Sequence, residues 1–219
     1  MYNSVNVSQT ASSTLQVNKV LKNTYLLLSM TLIFSAITAF IGLQMQIGFL
    51  AAIVADIAAF VMLWLVLPKT AHSSKGIPVI FGITGLLGFG LAPVLSYYLA
   101  VNPSIVMTAL GGTGAIFLGL SGYAMVSKRD FSFMAGFLSV GIIVILGASL
   151  LNIFLGIPAL GLAVSAGVIG IMSGLILWET SNIIRGGETN YIMATASLFL
   201  SILNIFQSLL HILGFSAND

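Results

Sequence analysis

The chain contains 219 residues, of which 58% are hydrophobic and 5% are charged, with seven Lys and Arg residues against five Asp and Glu residues. Soluble domains carry about 25% charged residues, so this composition excludes a water-soluble globular protein and predicts a membrane protein. The chain contains no cysteine, which excludes disulfides, thiolate metal ligands and cysteine nucleophiles. Its net charge of +2 is uninformative in itself, and no basic cluster interleaved with aromatic residues indicates nucleic-acid binding.

The N-terminal segment, Met1 to Asn18, is polar and carries no charged side chain. It cannot bury a core, and we expect it to be disordered. A cleaved signal peptide would begin with basic residues and continue with an apolar stretch, and here the order differs. We therefore predict a retained cytosolic tail that offers a flexible binding segment to a partner protein.

Seven apolar segments follow the tail. Each is similar in length to the roughly 20 residues that a helix needs to cross the hydrocarbon. They predict an all-α, polytopic membrane protein with a seven-transmembrane-helix bundle over residues 19–215 and a short periplasmic tail over residues 216–219. The predicted spans are residues 24–43, 47–67, 77–99, 105–126, 133–154, 160–178 and 191–213.

The basic residues fall in alternate gaps between these spans. They are Lys19 and Lys22 before span one, Lys69 and Lys75 after span two, Lys128 and Arg129 after span four, and Arg185 after span six. Because positive residues are concentrated in cytoplasmic loops, the pattern predicts a cytosolic N-terminus and a periplasmic C-terminus.

Local signals predict where two of the helices are interrupted. Pro93 in span three should kink the helix or break it into two pieces. Span six should extend beyond Trp178 and stop at the Gly186-Gly187 pair. Span seven should then begin after Glu188-Thr189-Asn190, which supplies an N-cap and a negative charge beside the positive end of the helix.

Two acids lie at or within the spans, Asp56 near the middle of span two and Glu179 at the inner end of span six. A carboxylate at the bilayer centre costs about 2.5 to 3.5 kcal/mol on insertion scales, and no Lys or Arg lies within a span to pair with either acid. Each acid is therefore protonated, hydrogen-bonded, hydrated or paired with a bound cation. For Asp56, a neutral acid bonded to a nearby carbonyl and an ion-pathway role both stay open.

Span seven carries a polar stripe that includes Ser197 and Ser201. Its members recur at spacings of three and four, which places them on one helical face, and we expect that face to look into the bundle. Glu179 would then face one or both hydroxyls near the cytosolic mouth. A serine stripe is also ordinary packing between membrane helices, so both interpretations stand.

The chain lacks the residue sets of membrane enzymes and pigments. A serine protease needs a base within hydrogen-bond reach of its serine, and the one histidine in a span, His211, lies near the outer surface. A zinc site needs several His, Cys or acid ligands close together, and a retinal pigment needs a lysine within a span. We therefore expect no enzyme activity, no cofactor and no structural metal.

Three stretches of sequence together resemble the Bax-inhibitor family of membrane proteins, most closely the bacterial YccA-type branch. They are Ser127-Lys128-Arg129-Asp130-Phe131-Ser132-Phe133, Gly88-Phe89-Gly90-Leu91-Ala92-Pro93, and Glu179-Thr180 through Gly186-Gly187-Glu188-Thr189-Asn190-Tyr191-Ile192 to Leu198-Phe199-Leu200 and Asn204-Ile205-Phe206. The resemblance runs from about Lys19 to Phe215. It implies a seven-helix bundle in the bacterial cytoplasmic membrane.

The resemblance also implies two functions. The YccA-type branch restrains the membrane protease FtsH, whereas other members behave as pH-sensitive calcium leaks governed by aspartates on helices six and seven. Here the first aspartate aligns with Glu179 but the second aligns with Ser201, and a carboxylate with a hydroxyl binds calcium less well than two carboxylates. We therefore favour a regulator that binds FtsH and possible associated regulators, with a calcium or proton leak as the alternative.

Overall fold

The computed structural model describes residues 2–217, with side chains from residue 15 onward. Met1 and residues 218–219 of the predicted C-terminal tail lie outside the described part. The helices are α1 (Tyr2–Gln44), α2 (Phe49–Val61), α3 (Leu67–Thr70), α4 (Gly76–Gly90), α5 (Ala92–Val101), α6 (Pro103–Ser127), α7 (Met134–Leu155), α8 (Pro158–Ile184) and α9 (Tyr191–Ser216).

The helices of the described part supply seven membrane spans by length and hydropathy, which confirms the predicted seven-helix, all-α class. The spans are Leu15–Gln44, Phe49–Thr70, Gly76–Val101, Pro103–Ser127, Met134–Leu155, Pro158–Ile184 and Tyr191–Ser216. They overlap all seven segments predicted from hydropathy, because a run of apolar residues must be helical to satisfy its backbone in lipid. The orientation of the termini stays a prediction from the charge pattern.

Helix α1 begins at Tyr2 and therefore includes most of the polar segment Met1 to Asn18. A polar helix without tertiary contacts is marginal in water. The predicted disorder of the free tail accordingly stays a prediction. Among the described side chains of this segment, Cγ2 of Val17 lies close to Gly186, where an added Cβ would stand 3.5 Å from it.

Contacts between residues divide the chain into two compact units, and the first comprises residues 1–93 and 182–199. Here α4 packs against both α1 and α2. Glycines allow the close approach: a Cβ on Gly88 would overlap the Ser35 carbonyl oxygen, and a Cβ on Gly42 would stand 2.7 Å from Cβ of Ala92. Small residues give van der Waals contact where lipid removes the hydrophobic drive.

Span three is interrupted at Leu91, between α4 and α5, as predicted from Pro93. Proline has no N–H, so the helical bond that residue 93 would donate to the Phe89 carbonyl cannot form. Span two is also irregular, because a π-helical segment, Met62–Val66, separates α2 from α3. Single π turns of this kind interrupt otherwise regular helices.

The second unit comprises residues 94–181 and 200–219. Glycines again mark its close contacts: Gly174 of α8 meets Leu138 of α7, and Gly214 of α9 meets the ring of Tyr98. Only 6% of the most apolar 18-residue stretch of span five is buried, the smallest share among the seven spans. Most of α7 therefore presents apolar side chains to the bilayer.

Helix α8 ends at Ile184, and the Gly186-Gly187 pair follows as predicted. Gly186 adopts a positive φ of 77°, which glycine accommodates without strain. The next helix starts with the predicted N-cap: Oδ1 of Asn190 accepts hydrogen bonds from the N–H groups of Ile192 (2.9 Å) and Met193 (3.2 Å).

Candidate functional site

Glu179 lies near the C-terminal end of α8, in the second unit, and its side chain is 4% exposed. The two residues that follow, Thr180 and Ser181, are also buried. A run of three polar side chains inside a membrane helix is stable only when its members are hydrogen-bonded or paired. The C-terminal end of α8 is therefore a polar interior rather than a lipid-facing surface.

Ser181 fixes the loop that follows α6, which sequence reasoning did not anticipate. Its Oγ donates to the Arg129 carbonyl at 2.9 Å and accepts from the Phe131 N–H at 3.4 Å. Lys128 adopts a positive φ of 50° just before this loop. The loop with two of the seven basic residues is thus tied to the helix that carries Glu179, through contacts 50 and 52 residues apart in sequence.

Ser201 and Ser197 lie on α9. Ser201 is 2% exposed and belongs to the same unit as Glu179, whereas Ser197 is half-buried and belongs to the first unit. Ala194 and Ser208, on the same predicted face, are also buried. The polar face of α9 is thus largely interior, and a direct pairing of Glu179 with either hydroxyl stays a prediction.

Asp56 lies in α2 and is half-buried in the first unit. Its carboxylate packs against Gly90, the last residue of α4, where a Cβ would overlap Oδ1. Residues 23–68 contain no Lys or Arg, so no basic residue within spans one and two lies at the depth of this acid. Asp56 and Glu179 belong to different units, and a role shared between them stays a prediction.

A third polar contact, in the second unit, joins α8 and α9. Oγ of Ser165 donates to the Gly161 carbonyl at 3.0 Å and lies 2.8 Å from Nδ1 of His211. The Ser165 hydroxyl and the His211 ring are therefore hydrogen-bonded partners that join α8 to α9. Sequence reasoning identified His211 but not its partner.

The described residues contain no group of three or more His, Asp or Glu side chains arranged to hold a metal ion. Calcium takes six to eight oxygen ligands, usually including several carboxylates. A calcium cage built from clustered acids is therefore absent from residues 15–217. Any cation at Glu179 or Asp56 would be held mainly by neutral oxygens.

Comparison with known proteins gives strong matches over almost the whole chain. The model of the family described as "Inhibitor of apoptosis-promoting Bax1" matches residues 17–218. A Vibrio cholerae protein described as an uncharacterized membrane protein is 50% identical over 94% of this chain and 93% of its own length. The Escherichia coli K12 protein named modulator of FtsH protease YccA is 47% identical over 98% of both chains. A Pseudomonas aeruginosa protein is 41% identical over 93% of this chain and 92% of its own length.

Proposed function

This chain belongs to the Bax inhibitor family, as its motifs predict, and from that membership we propose that it is an integral membrane regulator of an FtsH-type membrane protease. The observation that carries the proposal is the near-full-length identity of 47% to a relative named as a modulator of FtsH. Another E. coli relative with the same identity is named as an inner membrane protein. We therefore place this chain in the bacterial inner membrane as a multi-pass protein.

The small part of the chain that lies outside the membrane spans supports a regulatory role. Spans account for most of the sequence, and the connections between them contain only a few residues. A separate soluble domain that could act on a substrate does not fit into such connections within the described residues. Binding to a protease must therefore use helix faces, short loops or the N-terminal segment, and we propose that the protein acts without catalysis of its own.

We propose that the tail, Met1 to Asn18, is the segment that the protease engages. The composition of this segment predicts disorder, and a disordered polar segment gives a membrane protease a stretch of chain to bind, since it lacks a packed core that would resist. The glycine-packed helices of both units would resist extraction. Partial engagement without degradation would then occupy the protease and restrain it.

The experiment removes residues 2–14, which precede the first described span at Leu15, and measures the turnover of a known FtsH substrate in membranes that contain both proteins. Loss of the restraint, with an unchanged thermal unfolding temperature, is expected. A control variant carries the same thirteen residues in scrambled order. Restraint that persists after the deletion would contradict the role of the tail, and absence of restraint by the intact protein would contradict the proposed function.

The burial of Glu179 favours a second candidate function, a leak of protons or calcium. An acid that is 4% exposed inside a membrane span is rarely retained without a use or a partner. We propose Glu179, Ser201, Ser197 and Asp56 as the residues that would sense or pass the cation. Flux into vesicles with reconstituted protein should fall in Glu179→Gln and Asp56→Asn, and flux equal to that of protein-free vesicles would reject this function.

A further inference from the structure

A polar cleft of about 290 Å³ lies in the first unit, between the loop that follows α3 and the segment that begins α9. We call it the Asn190 cleft. Its polar lining consists of His72, Ser73, Ser74, Thr189, Asn190 and Tyr191. The volume is near the lower end of the range for small-ligand sites, which is about 300 to 1,000 Å³.

Asn190 joins the two walls of the cleft. Its Nδ2 donates to the Ala71 carbonyl at 3.0 Å and lies 3.4 Å from Nδ1 of His72, while its Oδ1 caps α9. The same two segments also pack closely next to the cleft, because a Cβ on Gly76 would stand 2.8 Å from Cδ1 of Ile192. The cleft is therefore formed before any ligand arrives, which lowers the ordering cost of binding.

The lining presents hydrogen-bond donors. Because the amide nitrogen of Asn190 can only donate, Nδ1 of His72 is the acceptor in this contact, and Nε2 is the ring nitrogen that can donate. Ser74, Thr189 and Tyr191 add hydroxyl groups. None of the described residues that line the cleft is acidic, and the nearest carboxylate in sequence, that of Glu188, is engaged by the N–H of Asn190 at 2.6 Å.

The segments that form the cleft are also positively charged. The exposed residues Lys69 and Lys75 flank the loop that lines one wall, and the exposed residue Arg185 lies four positions before Thr189 of the other wall, against the single carboxylate of Glu188. The cleft lies where four span ends meet the loops, at Thr70, Gly76, Ile184 and Tyr191. The ends of membrane spans lie at the level of the lipid headgroups, and basic pockets at this level recognise anionic headgroups.

We propose that the Asn190 cleft binds the phosphate of an anionic phospholipid headgroup, such as that of phosphatidylglycerol. The hydroxyls of Ser74, Thr189 and Tyr191 and the Nε2–H of His72 donate to the phosphate oxygens. Lys69, Lys75 and Arg185 supply the positive field around the site. The inference rests on the geometry of the first unit and is independent of the proposed protease partner.

The test compares two variants of the full-length protein that each add one carboxylate to an exposed serine in a loop at a span end. Ser74→Glu adds it inside the cleft, and Ser132→Glu adds it in the loop after α6, outside the cleft. Each protein is titrated with phosphatidylglycerol and, separately, with zwitterionic phosphatidylcholine in mixed micelles, and the bound lipids are counted by native mass spectrometry. Thermal unfolding in inorganic phosphate forms a third arm.

We expect the wild-type protein and Ser132→Glu to retain phosphatidylglycerol in preference to phosphatidylcholine, and Ser74→Glu to lose at least about fivefold in affinity for phosphatidylglycerol. Equal retention of the two lipids by the wild-type protein would overturn the proposal, as would equal binding by the two variants. If inorganic phosphate stabilises the protein and no lipid is retained, the cleft binds a soluble anion, and the proposal of a lipid headgroup is overturned.

Discussion

The carboxylate of Asp56 occupies the space that a side chain at Gly90 would need. An alanine Cβ at residue 90 would overlap Oδ1 and stand 2.8 Å from Cγ of Asp56. The acid on α2 is thereby placed beside the end of α4, next to the interruption at Leu91. The contact makes the approach of these two helices depend on the absence of a side chain at one position.

Gly90→Ala should therefore destabilise the first unit by about 1 to 3 kcal/mol, because an extra methyl group in a close contact forces the helices apart. The unfolding free energy in detergent measures the effect. Gly119→Ala is the matched control, since no atom lies within 4 Å of a Cβ there, and it should change stability by less than about 0.5 kcal/mol.

Asp56→Ala combined with Gly90→Ala supplies the decisive comparison for that contact. Removal of the carboxylate frees the space that the new methyl group needs, so the double variant should recover part of the loss seen in Gly90→Ala alone. Strictly additive effects of the two substitutions would show that the Asp56–Gly90 contact does not limit the approach of the helices.

Asn190→Ala should cost about 1 to 3 kcal/mol, because it removes the N-cap of α9 and leaves the part-buried Ala71 carbonyl without its donor. Asn190→Asp keeps the capping oxygen but loses the amide donor, so it should fall between the wild-type protein and Asn190→Ala. Thermal unfolding ranks the three proteins. An Asn190→Asp variant as unstable as Asn190→Ala would show that the tie to Ala71 outweighs the cap.

Ser181→Ala should loosen the loop after α6. The variant loses the bond from Ser181 to the Arg129 carbonyl and the acceptor for the Phe131 N–H. Trypsin cleavage after Lys128 and Arg129, followed over time in detergent, should become several times faster. Ser139→Ala is the control, since that exposed hydroxyl bonds only its own helix at Ala135. Equal cleavage rates for both variants would contradict a role of Ser181 in holding the loop.

The cysteine-free sequence permits a direct test of orientation. Single substitutions Ser74→Cys and Ser132→Cys place a thiol in predicted cytosolic loops, and Ser104→Cys places one at the predicted periplasmic side. A membrane-impermeant maleimide added to intact cells should label Ser104→Cys and leave the other two unlabelled until the cells are opened. Labelling of Ser74→Cys in intact cells would reverse the predicted topology.

Sequence periodicity and composition predict the elements of this fold well because lipid imposes simple rules on them. Hydropathy predicts the seven spans, Pro93 predicts the break at Leu91, and the Gly186-Gly187 pair predicts the end of α8. Each of these signals depends only on residues that are close together in the chain, so it can be identified from a single sequence. The predicted N-cap at Asn190 follows from the same kind of local rule.

The contacts that shape the candidate sites are not local, and the sequence did not predict them. The bonds of Ser181 join positions about fifty residues apart, and the contact of Asp56 with Gly90 joins two different spans. Nothing in the residues around His72 indicates that an amide from the far end of the chain will orient its ring. Such pairs depend on which helices become neighbours, which hydropathy does not specify.

The bond from Asn190 to the Ala71 carbonyl spans 119 positions of the chain. During synthesis, the loop after α3, which contains Ala71, is completed long before Asn190 leaves the ribosome. A nascent or truncated chain that ends before Asn190 therefore leaves that carbonyl without its amide donor. The first unit, which combines residues 1–93 with residues 182–199, is therefore complete only after the start of the last helix has been synthesised.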